Sequence, residues 1–163
     1  MRHQNNLIVC SLNQLSKVYK THKPKFILSM LDTGKPMYQS FDAASHVTLY
    51  CDDVLDKDAV NAPTYDMVLN SLKWGQNFTD YKAIVHCHAG ISRSTAMAIG
   101  ILVYNGMSID DAIDDIRTQR PGLCPNPIIS GYCDDIMNLK GELYDKCEAV
   151  ANYRLLTILS QKE

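Results

Sequence analysis

The sequence predicts an α/β fold: one domain spanning residues 1–163, with a central, mostly parallel sheet of four to five strands and helices on both faces. Three observations carry that prediction. Short apolar, β-branched runs alternate with stretches whose apolar residues recur at helical spacing. A helical stretch from Thr64 to about Phe78 crosses over between two such runs, as parallel strands require. The chain has 163 residues, 46% of them hydrophobic, which is enough for one core.

The elements follow in order. Leu7–Cys10 reads as a first strand, and Ser11 caps a helix to about Tyr19 with Leu12, Leu15 and Val18 on one face. Lys25–Leu31 is a second strand, ended by the turn residues Asp32-Thr33-Gly34-Lys35-Pro36. The segment up to Ser45 is polar and reads as a surface loop. His46–Cys51 is a third strand, followed by an acidic loop from Asp52 to Asp58. In the crossover helix Tyr65, Val68, Leu69, Leu72 and Trp74 are available for burial. Ala83-Ile84-Val85 is a buried strand and Ser94–Tyr104 a buried helix, stopped by Asn105-Gly106. Ser108 caps a helix to about Gln119, with Asp110 and Asp111 at the favourable end of its dipole. A stiff loop, Arg120–Pro127, precedes a helix over Ile128–Lys140. The tail, residues 142–160, reads as a C-terminal helix packed on its own domain through Leu143, Cys147, Val150, Arg154 and Ile158, with a partner or dimer face as the alternative.

A formal net charge of −2 gives no basic face for nucleic acid. Six scattered cysteines without a CxxC pair suggest neither a disulfide framework nor a metal site, and fit a reducing compartment, hence the cytoplasm. The apolar run Leu7–Cys10 is too short for a signal-peptide core. No stretch of about 20 apolar residues is present for a membrane span. No cofactor is expected.

The chemistry concentrates in Lys82–Gly100, a strand that feeds a small-residue loop and then a helix. Such a loop leaves backbone N–H groups unpaired at the positive end of the helix dipole, which suits an anion. The loop begins with a thiol, Cys87, and ends with a guanidinium, Arg93. Helix N-termini and cations favour a thiolate, the reactive form of cysteine. The backbone of His88, Ala89, Gly90, Ile91 and Ser92, with the bidentate fork of Arg93, would hold a phosphate. Gly90 lets the loop curl. Ser94 is placed to donate a hydrogen bond to the Cys87 sulfur, and His86 to orient the loop. His86 and His88 make an incomplete set for zinc.

A thiolate expelling an alkoxide or phenoxide from phosphorus needs a proton donor for the leaving oxygen. Asp52 and Asp53 are the candidates, 35 and 34 residues before Cys87, at the same edge of the sheet. Asp56 and Asp58 are alternatives on the same loop.

The segment His86-Cys87, five residues, then Arg93-Ser94 resembles the phosphate-binding loop of cysteine-dependent protein tyrosine phosphatases, and its fuller form HCxAGxSRS is similar to their dual-specificity branch. The resemblance covers about residues 27–140 and is nearest to small bacterial members. It implies a protein tyrosine phosphatase-like fold, a phosphorylated protein substrate and a two-step, metal-independent reaction through a cysteinyl-phosphate. The acid of the family lies on the loop after the neighbouring strand; where that loop carries an acidic pair the second is usually the acid, which favours Asp53 over Asp52. Arg120-Pro121 followed by Pro125-Asn126 is similar to the family's "RP…PN" segment, which implies that Asn126 braces the active-site loops. The expected activity is phosphotyrosine hydrolysis, with phosphoserine and phosphothreonine as further substrates. A phosphoinositide or other non-protein phosphomonoesterase, a non-catalytic phosphopeptide-binding module and a rhodanese-like sulfur transferase are the competing readings. The absence of lysine from the loop argues against the first, and Arg93-Ser94 against the last. The sequence is silent on oligomeric state.

Overall fold

The computed structural model describes residues 6–37, 39–78 and 80–161. Four parallel strands form one sheet, in the order β1-β4-β2-β3: β1 (Leu7–Ser11), β2 (Phe26–Leu31), β3 (Ser45–Tyr50) and β4 (Ala83–Cys87). The helices are α1 (Leu12–His22), α2 (Tyr65–Gly75), α3 (Arg93–Tyr104), α4 (Ile109–Gln119), α5 (Pro127–Met137) and α6 (Glu142–Ser160). A 3₁₀ turn over Gln76–Phe78 extends α2.

Local chemistry sets most of the boundaries. Ser11 closes a capping box with Gln14, so the chain turns from β1 into α1 without a linker. Thr64 and Ser108 cap α2 and α4 by accepting hydrogen bonds from Met67 and Asp111 amides. Asn138, in the left-handed conformation, ends α5 at Met137, short of the expected Lys140.

The alternation of side chains along β1 and β4 divides the core. Cys10 and Ile84 face α1, with Leu15 buried between them. Val9, Val85 and Leu28 face the other way, onto α3. Every residue of α3 from Arg93 to Leu102 is buried, because α2, α4 and α5 surround it on the side away from the sheet. Tyr65 departs from expectation: it starts α2 at 44% exposure, edge-on to Tyr132, instead of entering the core. α6 is buried through Leu143, Cys147 and Ala151 and still lays Arg154 beside Gly122, whereas Ile158 is exposed.

β4 lies inside the sheet between β1 and β2. Its carboxyl end therefore opens between the ends of two neighbouring strands, and α3 starts directly above it. The packing of α3 against α2 and α5 leaves no spare volume. A methyl group at Gly100 would overlap the Cys133 sulfur, and one at Gly75 would come within 2.8 Å of Ile101 Cγ2. Gly100→Ala is expected to destabilise the protein by about 1–3 kcal/mol through overpacking, read as a lower urea midpoint.

Candidate active site

The loop from Cys87 to Arg93 is shaped by what its carbonyl oxygens bind. His88 O accepts from the Leu12 amide (3.1 Å), and Ile91 O from the Cys124 amide (2.9 Å) and the Thr95 hydroxyl. Ser92 O accepts from the Asn126 amide (3.2 Å) as well as from Ala96. Arg120 takes the remaining two: Nη2 donates to Ala89 O (2.9 Å) and Nε to Gly90 O (2.8 Å). Five consecutive carbonyls thus face the protein body, and the amides are left for the concave side. The Gly90 amide donates to Cys87 Sγ (3.2 Å), and those of Ala89, Ile91 and Ser92 bond to no other described residue. Gly90 has φ +68°, and a Cβ there would come within 2.7 Å of the Cys10 carbonyl. Only glycine meets both demands.

Cys87 is buried at the floor of this ring, with Ser94 Oγ 3.1 Å from its sulfur. Ser92 caps no amide of α3 with its side chain; its hydroxyl donates instead to Asp53 Oδ1 (2.7 Å). Arg93 is 3% exposed. Its Nη1 donates to the Cys51 carbonyl (2.6 Å) and pairs with Asp32 Oδ1 (2.8 Å), while the buried Nε has no partner. A guanidinium held at one end, with a buried donor unspent, is set for an incoming oxyanion.

Asp53 is exposed on the loop after β3 and also accepts from Asn126 Nδ2 (3.0 Å). Asp52 turns away, accepting from the Thr33 amide (2.9 Å), and Asp56 accepts from the Asp58 amide (2.9 Å). The geometry thus separates the two members of the pair. β3 is not the neighbour of β4, however, since β2 lies between them, and the acidic loop reaches the cradle across β2. Asn126 is fully buried with every polar valence used. Nδ2 donates to Asp53 and to Val54 O (3.0 Å), and Oδ1 accepts from the Ile128 and Ile129 amides as the N-cap of α5.

Four residues in this cluster escaped the sequence reading. Asp32, read as a turn residue, is the anchor of Arg93; it also pairs with Lys35 (3.2 Å) and lies 3.6 Å from His88 Nε2. Burial would raise its carboxyl pKa, but the Lys35 hydrogen bond and the charge and hydrogen bond of Arg93 outweigh that and lower it. Its position at the carboxyl end of β2, the strand beside β4, was the available signal. In the sequence Arg120 stands out only as part of the Arg120-Pro121 segment. Ser29 and His46 form a buried relay with His86: Ser29 Oγ lies 2.6 Å from His86 Nε2 and 2.8 Å from His46 Nε2. His86 Nδ1 lies 3.3 Å from the Cys87 carbonyl, which can only accept. That assigns the His86 proton to Nδ1, makes the Ser29 hydroxyl the donor to Nε2, and makes His46 Nε2 a donor to Ser29.

The six cysteines are free. Burial pushes the Cys10 thiol up to about 12 and the Cys51 thiol up to about 11, so both are protonated neighbours of the loop. Among the described residues, no group of three or more His, Cys, Asp or Glu is arranged to hold a metal, and no helix is long and apolar enough to cross a membrane.

Comparison with known proteins agrees with this architecture. Residues 64–132 match the family described as dual specificity phosphatase, catalytic domain. The match contains Cys87, Arg93, Arg120 and Asn126 and begins after Asp32, Asp52 and Asp53. A stretch of 107 residues is 31% identical to MAP kinase phosphatase with leucine-rich repeats protein 3 of Dictyostelium discoideum, covering 58% of this chain and 11% of that protein. The chain likewise spans only 7% of human dual specificity protein phosphatase 8. Human DUSP28 shares the fold with a TM-score of 0.65 at 16% identity, over 86% of this chain and 98% of that one. So does the human tyrosine phosphatase-like serine/threonine/tyrosine-interacting protein, with 0.60 at 20% identity over 83% and 93%. Residues 64–132 are thus similar to a dual-specificity phosphatase catalytic domain, and the chain shares the fold of these phosphatases.

The buried relay generates a pH prediction. Desolvation pushes the His86 pKa down to about 4, against the pull of the Cys87 carbonyl, and burial lowers that of His46. Between pH 6.5 and 4 the unfolded chain therefore takes up protons that the folded one refuses. Stability is complete above that window and falls as pH drops through it, by on the order of 3 kcal/mol from His86. Urea unfolding across the range measures the loss, and nitrogen NMR of His86 is expected to show the Nδ1–H tautomer.

Proposed function

We propose that this chain is a protein phosphatase that hydrolyses phosphotyrosine, and phosphoserine or phosphothreonine as well, through a cysteinyl-phosphate. The observation that carries the reading is the convergence on one sulfur. The Gly90 amide and the Ser94 hydroxyl both meet Cys87 Sγ inside a ring of inward amides, next to an Arg93 with its Nε unspent.

In the first step the Cys87 thiolate attacks phosphorus in line with the leaving oxygen. The S–P bond forms as the P–O bond breaks, while the loop amides and Arg93 hold the three equatorial oxygens. Asp53 gives its proton to the leaving oxygen. Ser92 and Asn126 hold its carboxyl at the rim of the ring, and Asp52, turned to Thr33, is not so placed. In the second step Asp53, now ionised, takes a proton from a water that attacks phosphorus. The S–P bond breaks, and the Ser94 hydroxyl stabilises the departing thiolate. Asp32 keeps the Arg93 fork in place through both steps.

Steady-state kinetics test the assignments. Cys87→Ser is expected to lower turnover by about three orders of magnitude or more, while the variant still binds vanadate. Asp53→Asn is expected to slow hydrolysis of an alkyl or poor phenol leaving group by about 10²–10⁴-fold, and that of an activated phenol far less. Asp52→Asn leaves this leaving-group dependence as it was; the reverse order within the pair sinks the assignment. A parallel assay with thiosulfate and with phospholipid separates the competing enzyme classes.

A further inference from the structure

Beside the phosphate loop lies a groove of about 520 Å³ that none of the chemistry above uses. It runs between the first turn of α1 and Leu31, Gly34–Met37 and Gln39, and His88 of the phosphate loop also lines it. We infer that this groove is a specificity subsite for an acidic residue directly next to the phosphorylated residue of a peptide substrate. The inference rests on the phosphatase reading and adds a substrate preference to it.

Place comes first. His88 is bonded to Cys87, and its ring is fixed where Nε2 accepts from the Asp32 amide (3.2 Å). A group that fills the groove therefore lies beside the loop that would hold the phosphate. Size is next: a cleft of this volume falls in the range of about 300–1,000 Å³ typical of ligand sites. The lining then selects the occupant. Leu12, Pro36 and Met37 offer an apolar surface for an aliphatic stem. The polar ends are donor-rich. The Lys35 side chain is 67% exposed, and its Nζ spends one of its three hydrogens on Asp32. Gln39 Oε1 accepts from the Ser16 hydroxyl (3.3 Å), so the end it has left is an N–H donor. Asn13 contributes an exposed amide. An aliphatic stem with an acceptor-only head describes glutamate best. The charge count sets an upper limit. Lys35 is the groove's lysine, and it is shared with Asp32, so the site matches one carboxylate and not a head group carrying several phosphates.

The test compares phosphotyrosyl peptides that differ only in the residues flanking phosphotyrosine, which are Glu, Gln or Lys, by kcat/KM. p-Nitrophenyl phosphate, which has no flanking residue, reads the phosphate site alone. The Glu peptide is expected to exceed the Lys peptide by about five- to tenfold, mostly in KM, with Gln between. Lys35→Glu is expected to invert the order. Should that change also disturb Asp32, turnover of p-nitrophenyl phosphate drops, and Asn13→Asp then brings the same negative charge in from α1. A wild-type ratio near one, or a ratio that neither variant moves, overturns the subsite. So does a soluble inositol polyphosphate turned over better than every peptide. Failure of the wild-type protein to hydrolyse p-nitrophenyl phosphate overturns the phosphatase reading itself, and the subsite with it.

Discussion

Everything at this site depends on how the carbonyl groups of residues 88–92 are restrained. A peptide dipole has two ends, and fixing the oxygen outward commits the N–H inward. The donors that do this come from α1 (Leu12), α3 (Thr95 and Ala96) and the segment after α4 (Arg120, Cys124 and Asn126). A loop this short has no regular hydrogen bonding of its own, so its shape is borrowed from these elements. The concave field around Cys87 is accordingly a property of the packed molecule and not of the seven residues that form the loop.

The same dependence governs charge. Burying an arginine is expensive unless its hydrogen bonds are met. Arg93 meets part of that cost through Asp32 and the Cys51 carbonyl, which hold Nη1, while its buried Nε has no partner. On the opposite rim Asn126 is fully committed, tying the acidic loop to the start of α5 and, through its own amide, to Ser92. Arg93, held by Asp32 after β2 and by Cys51 after β3, and Asp53, on the loop after β3, thus meet around Cys87 at the end of β4.

Much of the fold was legible because its signals are local. Ser11, Thr64 and Ser108 sit where caps belong, and α3 is apolar all round because it is buried all round. The misreadings share a cause. Tyr65 stays at the surface because Tyr132, from α5, meets it there. α5 stops at Met137 because Asn138 turns left-handed, a choice that composition does not reveal. Asp32 looked like turn chemistry because its partner Arg93 is 61 residues away. The relay of Ser29 and His46 joins three strands and has no spacing to betray it.

From sequence alone come the element order, the thiol and guanidinium with five residues between them, and the acidic pair one strand upstream, since each is a pattern among chain neighbours. The order of strands in the sheet is decided by packing, and with it the facts that β2 lies between the strand before Asp53 and the strand ending in Cys87 and that Asp32 faces Arg93. Asp52 and Asp53 are chemically identical neighbours. Only the fold tells them apart, because hydrogen bonds to Ser92 and Asn126 on one side and to Thr33 on the other require contacts between distant parts of the chain.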